Sequence, residues 1–338
     1  MDRITLVKDT IDNNDIDRLI DWLKTYPRLT KGPVTLELEE KYSKWIGRTY
    51  SVFCNSGSSA NLLMLSALQQ GKYLKNNKVV VPSVAWATDL APVMQLGLEP
   101  ILCDSNKRDL SADLFHLEKI FQDESPSALM LVSVLGLVPE MGKVVNLCKK
   151  YDVILLEDTC ESMGSKYRDT KLGTFGRMSS FSTFFGHHIS TIEGGFVSTD
   201  DKDLYDILVS IRAHGWARDL DTEKQIELQQ DWGVSTFNSL YTFYYQGFND
   251  FTSNFAYPVI HPNKTKIVEK LFANNVDVRP MICGSMGTQP FYVKEYGRLE
   301  LPNVKEIDEY GFYVPNNPHI TDNEIVYISD IINGEIND

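Results

Sequence analysis

Two adjacent histidines, His187 and His188, lie in the segment of the sequence that is best suited to chemistry. An apolar run that begins near Ser180 precedes them, and an acid with two glycines, Glu193-Gly194-Gly195, follows them. Imidazole titrates near neutral pH and can therefore accept and return a proton. The pair could act as a base beside a cofactor, bind a metal, or belong to a surface loop. A metal site is disfavoured, because adjacent histidines lack the i, i+4 spacing of helical ligands and no third ligand is evident.

Small polar residues form a second candidate segment, residues 55–61, which follows an apolar run and opens a helical pattern. Small residues let backbone N–H groups approach an anion, and serine hydroxyls and the helix dipole add further donors. The segment could be a phosphate site, with Ser58 and Ser59 as donors, or simply a capped turn.

Acidic residues end another apolar run, over residues 155–164, which carries Glu157, Asp158 and Glu161. A carboxylate at the end of a buried strand is desolvated unless it has a cationic partner. Trp86 follows a further apolar run, and its flat ring could stack on a cofactor or pack in the core.

Strand-like and helix-like segments alternate in the part of the chain that must position these residues. Apolar runs end near Cys54, Val81, Cys103, Val132 and Leu156, and helical patterns fill the gaps. This alternation predicts an α/β fold with a mostly parallel sheet and helices on both faces. Ligands bind such sheets at the carboxyl ends of the strands. The rest of the chain predicts a small α+β domain, so we expect a large domain over residues 1–249 and a small one over residues 250–338.

The composition excludes several classes of function. With 338 residues, 43% of them hydrophobic and 23% charged, the chain has the make-up of an ordinary globular protein. A net charge of −13 argues against nucleic-acid or anionic-membrane partners. The five scattered cysteines form no C-x-x-C pair, and no long apolar run occurs, so we expect a cytoplasmic protein.

The histidine segment resembles the cofactor-lysine motif of the sugar-nucleotide aminotransferases, the DegT/DnrJ/EryC1/StrS family of pyridoxal-phosphate enzymes. The family pattern is Ser-Phe, a few residues, a lysine, a short polar run and Glu-Gly-Gly. Aligned on Glu193-Gly194-Gly195, His187 occupies the lysine position, and no lysine occurs between Lys171 and Lys202. The chain is therefore similar to the histidine-bearing branch of the family. This resemblance implies fold type I of the pyridoxal-phosphate enzymes and a homodimer.

The resemblance also implies a role for each candidate residue. Phosphate would be bound by Ser58, Ser59 and Ser182, and Trp86 would stack on the pyridine ring. Asp158 would pair with the pyridine nitrogen. Glu161 stands where aminotransferases of the family usually carry glutamine, and it would bind the hydroxyl of the cofactor ring. Asn249 would be a further contact to the cofactor.

His187 would remove a proton from the C4′ carbon of the cofactor, which is held without a covalent link because imidazole forms no Schiff base. His188 would face away, since neighbouring residues in extended chain point to opposite sides. His214 and Arg218 would contact the substrate, or would merely belong to a helix end and the turn after it.

The reaction that the resemblance implies is the removal of the C3 hydroxyl from a nucleotide-linked 4-keto-6-deoxyhexose, with GDP as the nucleotide. Pyridoxal 5′-phosphate and pyridoxamine 5′-phosphate would be the cofactors, and L-glutamate would regenerate the amine form. This is a step of deoxysugar biosynthesis of the kind that supplies lipopolysaccharide O-antigen.

Three other interpretations follow from the same residues. An ordinary sugar-nucleotide aminotransferase is disfavoured because the lysine is absent. An iron–sulfur relative would need closely spaced cysteines, and none occurs between Cys160 and Cys283. The third interpretation is a non-catalytic relative that binds cofactor or nucleotide sugar. The junction after Asn249 supports it, because a long helical segment of the family pattern is absent there.

Overall fold

The computed structural model describes residues 10–215, 219–224, 256–281, 284–316 and 320–334. The chain divides into two compact units, one that ends at Asp221 and one that begins at Thr222. The domain boundary predicted between residues 249 and 250 lies outside the described residues and stays a prediction.

A seven-stranded sheet forms the centre of the first unit. The strands of this unit are β1 Tyr50–Cys54, β2 Lys78–Pro82, β3 Glu99–Cys103, β4 Ala128–Val132, β5 Ile154–Asp158, the short hairpin of β6 Lys166–Tyr167 and β7 Thr170–Lys171, β8 Met178–Ser182 and β9 Gly195–Thr199. In the sheet the order is β1-β9-β8-β5-β4-β2-β3. Only β9 runs antiparallel to its neighbours, β1 and β8, and the pairs among β8, β5, β4, β2 and β3 are parallel. The predicted mostly parallel sheet is confirmed.

Helices cover both faces of this sheet. They are α2 Pro33–Ile46, α3 Gly57–Gln70, α4 Ala87–Gln95, α5 Leu114–Glu124, α6 Met141–Lys150 and α7 Lys202–Arg212, with a 3₁₀ turn at Val134–Gly136. A further helix, α1 Asn13–Leu23, precedes them and buries none of its residues. Aspartate side chains before α1, α5 and α7 accept the first free N–H groups of those helices, which fixes where each helix begins.

The two faces of the sheet are packed by different helices. On one face, α5 and α6 contribute Leu117, Phe121 and Met141 to a cluster of buried apolar residues. Tyr42 of α2 covers the same face further along, where its ring stacks on Phe196 with centroids 4.0 Å apart. The other face is covered by α3, which packs against β8, β9 and α7. Because side chains alternate along a strand, Asp158 points toward the face that carries α3.

The second unit is a small α+β domain, as the sequence predicts. Its sheet has the order β10-β12-β11 and is antiparallel. The strands are β10 Ala256–Ile260, β11 Arg279–Pro280 and β12 Gly311–Pro315, and the helices are α8 Lys264–Ala273, α9 Pro290–Tyr296, α10 Pro302–Tyr310 and α11 Asp322–Asn333. Leu271, Phe312 and Ile331 lie in its buried core.

Among the residues that the structure describes, no helix combines the length and the apolar character needed to cross a membrane.

Candidate active site

The first turn of α3 lies next to the carboxyl end of β1. Ser56 caps the helix, and its Oγ accepts the N–H of Ser59 at 3.1 Å. The N–H groups of Gly57 and Ser58 occupy the first helical positions, where a helix offers no acceptor of its own. The side chain of Ser58 is exposed and that of Ser59 is partly exposed. The dipole of α3 and these donors therefore suit a phosphate.

Close packing places Ser182 beside this helix end. A Cβ atom on Gly57 would lie 2.5 Å from the Sγ atom of Cys160 and 2.9 Å from the Cβ atom of Ser182. A Cβ atom on Gly195 would lie 2.5 Å from the carbonyl carbon of Ser56. Only glycine fits at either position, because the neighbouring atoms are already in contact. The three serines predicted to bind phosphate are thus brought together.

Asp158 ends β5 and is almost fully buried. Its Oδ1 accepts the N–H of Cys160 at 2.8 Å, and its Oδ2 accepts the side-chain N–H of Asn61 at 2.6 Å. Asn61 is a functional candidate that the sequence reasoning did not single out. The available signal was a polar residue on the inward face of an apolar helix, since α3 buries Asn61 among Ala60, Met64 and Leu65.

A second buried carboxylate, Asp89, lies next to Asp158 and was also missed. Its side chain is fully buried, its Oδ2 accepts the N–H of Trp86 at 3.1 Å, and its Oδ1 accepts from Asn61 at 3.2 Å. Burial, together with the negative charge of Asp158, raises the pKa of Asp89 to about 10.

A closed loop between β8 and β9 carries His187. The N–H of Thr183 donates to the carbonyl of Gly194 at 2.8 Å, and the N–H of Thr191 donates to the carbonyl of Thr183 at 2.9 Å. The hydroxyls of Thr183 and Thr191 lie 2.6 Å apart. A side chain on Gly194 would collide with both hydroxyls. Gly194 is thus needed to close the loop that positions His187.

The imidazole of His187 is half-buried and lies near two carboxylates. Its ring packs edge-on against Phe184, with centroids 5.9 Å apart, and its buried Nδ1 atom has no hydrogen-bond partner among the described residues. Burial lowers the pKa of His187, while the charges of Glu161 and Asp158 oppose that shift. The side chain of His188 is exposed.

The carboxylate of Glu161 reaches across to the loop after β4. Its Oε2 accepts the N–H of Leu135 at 2.7 Å, and Leu135 has a positive φ of 53°. Glu161 therefore holds a strained turn beside the site. Its predicted contact with the cofactor ring hydroxyl stays a prediction.

Trp86 precedes α4, and 72% of its surface is exposed. The sequence left two interpretations of Trp86 open, stacking on a cofactor and packing in the core, and packing in the core does not agree with this exposure. The ring is instead available to a ligand above the carboxyl end of β2.

The end of α7 lies near the carboxyl end of β1. Arg212 donates to the carbonyl of Phe53 at 3.0 Å, and His214 follows with an exposed side chain and a positive φ of 62°. Arg218 and Asn249, the other predicted contacts, lie outside the described residues.

These residues fit pyridoxal phosphate. The start of α3 offers anion donors, Trp86 offers a flat exposed ring, and Asp158 offers a buried carboxylate suited to a protonated ring nitrogen. For comparison, no group of three or more His, Cys, Asp or Glu residues in the described part of the chain could hold a metal ion.

Comparison with known proteins identifies the family. Residues 9–239 match the model of the DegT/DnrJ/EryC1/StrS aminotransferase family. The chain belongs to this family. The predicted resemblance is therefore confirmed, and His187 is a departure from the lysine of the family motif.

The similar proteins include two dehydratases. A GDP-4-keto-6-deoxy-D-mannose 3-dehydratase of Yersinia pseudotuberculosis is 37% identical over 239 residues, which are 70% of this chain and 59% of that protein. The enzyme of the same name from Escherichia coli O55:H7 is 38% identical over 200 residues, 58% of this chain and 51% of that protein. The chain thus spans between half and three fifths of the length of these relatives.

A solved structure shows the same architecture over nearly the whole chain. It is that of a GDP-4-keto-6-deoxymannose-3-dehydratase with a trapped PLP-glutamate geminal diamine. It has a TM-score of 0.62 and 26% sequence identity, and the match covers 97% of this chain and 100% of that chain. The predicted aminotransferase fold is confirmed.

Proposed function

We propose that this chain is a pyridoxal-phosphate-dependent 3-dehydratase that removes the C3 hydroxyl of a nucleotide-linked 4-keto-6-deoxyhexose. GDP-4-keto-6-deoxymannose is the proposed substrate, and L-glutamate is the proposed amino donor. The observation that carries the proposal is the position of His187, which replaces the lysine of the family motif in a loop closed beside two carboxylates. The names of the relatives support the same reaction.

The cofactor would be held without a covalent bond. Ser58, Ser59 and Ser182 would bind its phosphate, Trp86 would stack on its ring, and Asp158 would pair with the ring nitrogen. When bound, pyridoxamine phosphate supplies an amine that reacts with ketones and a ring that accepts electron density. Asn61 and the N–H of Cys160 hold the Asp158 carboxylate in a fixed orientation for this pairing.

His187 would move the proton at the C4′ carbon. Burial favours the neutral imidazole, which is the form that can accept a proton. The negative charges of Glu161 and Asp158 would then stabilise the imidazolium ion that results. Histidine has no primary amine, so this loop cannot bind the cofactor covalently as a lysine would.

The test is an assay of the purified chain with pyridoxal phosphate, L-glutamate and GDP-, CDP- or dTDP-linked 4-keto-6-deoxy sugars in parallel. A 3-dehydratase releases ammonia and yields a sugar nucleotide that has lost one oxygen atom, which mass spectrometry resolves. An amino sugar as the product would show an aminotransferase instead. Cofactor binding without any turnover of the three substrates would show a non-catalytic relative.

A homodimer is also part of the proposal. Large apolar side chains near the site are exposed in a single chain, among them Leu135 and Ile192. A second copy that covers them would remove this surface from water. Light scattering should give twice the chain mass of 38.4 kDa, and a monomer would contradict the proposal.

We also propose a cytoplasmic location, which the free thiols of Cys54, Cys103, Cys148 and Cys160 support.

A further inference from the structure

Asp89 is a buried acid that the proposed reaction does not use. It lies in the first turn of α4 and is fully buried. Its Oδ1 and the Oδ2 of Asp158 both accept from the same atom, the side-chain nitrogen of Asn61, at 3.2 Å and 2.6 Å. One amide therefore bridges two carboxylates that come from different elements of the fold.

The side-chain nitrogen of Asn61 is surrounded by more acceptors than it has hydrogens to donate. The side-chain nitrogen of Asn61 carries two hydrogens, but the carbonyl of Thr88 at 3.3 Å also points to it, in addition to Asp89 and Asp158. The Oδ1 atom of Asn61 is a further buried acceptor without a partner among the described residues. A proton on one of the two carboxyl groups would turn one of the three acceptors around the Asn61 nitrogen into a donor.

The charges around Asp89 also favour a proton there. The ionisable groups that face it are the carboxyl groups of Asp158 and Glu161 and the thiol of Cys160, and none of them is a cation. In the described part of the chain, no lysine, arginine or histidine forms an ion pair with Asp89. Two adjacent buried anions without a cation are strongly unfavourable, so the pair retains one proton. The two carboxyl groups are adjacent, because the Oδ1 of Asp89 and the Oδ2 of Asp158 accept from the same nitrogen atom of Asn61.

We propose that Asp89 is a positioning residue that keeps a proton at neutral pH and donates it in a hydrogen bond to Asp158, so that Asp158 remains the anion that faces the ring nitrogen of the cofactor. This inference rests on the proposed function only in assuming that the chain binds the cofactor. The donated hydrogen bond holds the Asp158 carboxylate in place together with Asn61. It also keeps a second negative charge out of the buried site.

Two substitutions separate this role from simple packing. Asp89→Asn keeps a neutral side chain of the same shape that can donate to Asp158 and accept the N–H of Trp86. Asp89→Leu fills a similar volume but can do neither. The first measurement is infrared spectroscopy of the full chain without cofactor at neutral pH. The second is the Kd of pyridoxal phosphate, from the quenching of tryptophan fluorescence.

We expect the difference spectrum between the parent and Asp89→Asn to contain the C=O band of a protonated carboxyl group. A residue with a purely structural role would give no such band. Pyridoxal phosphate should bind Asp89→Asn within about threefold of the parent, and Asp89→Leu about 10- to 100-fold more weakly, as expected when a hydrogen bond to a charged group is lost.

The absence of the band would overturn the inference, as would equal loss of affinity in Asp89→Asn and Asp89→Leu. The infrared result with Asp89→Asn decides the protonation state even where Asp89→Leu fails to fold. Failure of the parent chain to bind pyridoxal phosphate would refute the proposed function instead, and the two failures are therefore distinguishable.

Discussion

Gly195→Ala should abolish tight cofactor binding while the sheet remains folded. Gly195 begins β9 between the ends of β1 and β8, where it pairs with Cys54 and Ser182. An added Cβ atom would lie 2.5 Å from the carbonyl carbon of Ser56 and 2.6 Å from the nitrogen of Gly57. These are backbone atoms of the proposed phosphate site, and they cannot rotate away as a flexible side chain could.

The size of the effect follows from the distances. An ordinary contact begins at 3.4 Å, so a Cβ atom at 2.5 Å would force the start of α3 to move by about 0.9 Å. N–H···O bonds span only about 2.7–3.2 Å between the heavy atoms, so the N–H groups of Gly57 and Ser58 would lose the phosphate. Two hydrogen bonds to a charged group contribute about 3–6 kcal/mol. The Kd of pyridoxal phosphate should therefore rise about 10²- to 10⁴-fold.

Fluorescence titration with pyridoxal phosphate measures this Kd, and circular dichroism confirms the fold. Gly32→Ala is the matched control, because a Cβ atom there meets only the carbonyl of Thr30 at an ordinary 3.5 Å. Ser182→Ala is a second probe that adds no atom to the site and should weaken binding about tenfold. If folded Gly195→Ala and Ser182→Ala both bind the cofactor like the parent, the start of α3 is not the phosphate site.

Three further predictions concern the acid–base residues. His187→Asn should bind cofactor normally, but its kcat should fall about 10²- to 10⁴-fold. His188→Asn should leave kcat nearly unchanged, because the His188 side chain is exposed. Equal losses of kcat in the two variants would refute the assignment of His187 as the base. Burial lowers the pKa of His187 below its ordinary value of 6.5, so kcat/KM should fall only when the pH is lowered below 6.5 and His187 becomes protonated. A fall in kcat/KM that sets in above pH 6.5 as the pH is lowered would contradict a buried base. Asp158→Asn should raise the Kd of the cofactor about 10- to 100-fold in a folded chain, and an unchanged Kd would exclude Asp158 as the ring partner.

The sheet and the positions of its binding residues could be predicted from the sequence because they depend on local patterns. Apolar runs of strand length alternate with helical patterns, and this requires a parallel sheet with its polar strand ends at one edge. Ser58, Asp158 and Ser182 all follow such runs, and the structure brings them to that edge. His187 could be recognised only through the spacing to the glycines after Glu193.

Asn61 and Asp89 could not be predicted in the same way. Each is a polar residue within a helical segment, and polar residues usually face water, although the apolar residues around Asn61 in α3 are a signal that it is buried. Their burial depends on how α3 and α4 pack on the sheet, which brings together residues 28 positions apart. No local pattern encodes that contact. The same holds for the Arg212–Glu39 ion pair, which joins α7 to α2 across 173 positions.

The two adjacent acids at the end of β5 show how the fold assigns different roles to similar residues. Glu157 and Asp158 point to opposite faces of the sheet because side chains alternate along a strand. Glu157 is fully buried, and the N–H groups of Gly173, Phe175 and Gly176 donate to it at 2.8, 2.7 and 2.6 Å.

All three donors to Glu157 are backbone N–H groups of the loop before β8, so the role of Glu157 is to hold that loop in place. Among the described residues Asp158 accepts from Asn61 and from the N–H of Cys160, and Asp89 is proposed as a third donor, whereas carboxylate oxygens can accept about four hydrogen bonds. Its remaining acceptor capacity lies on the face of the sheet that carries α3 and the proposed phosphate site. The face of the sheet on which the carboxylate lies, rather than the residue type, makes Asp158 and not Glu157 the candidate partner of a bound cation.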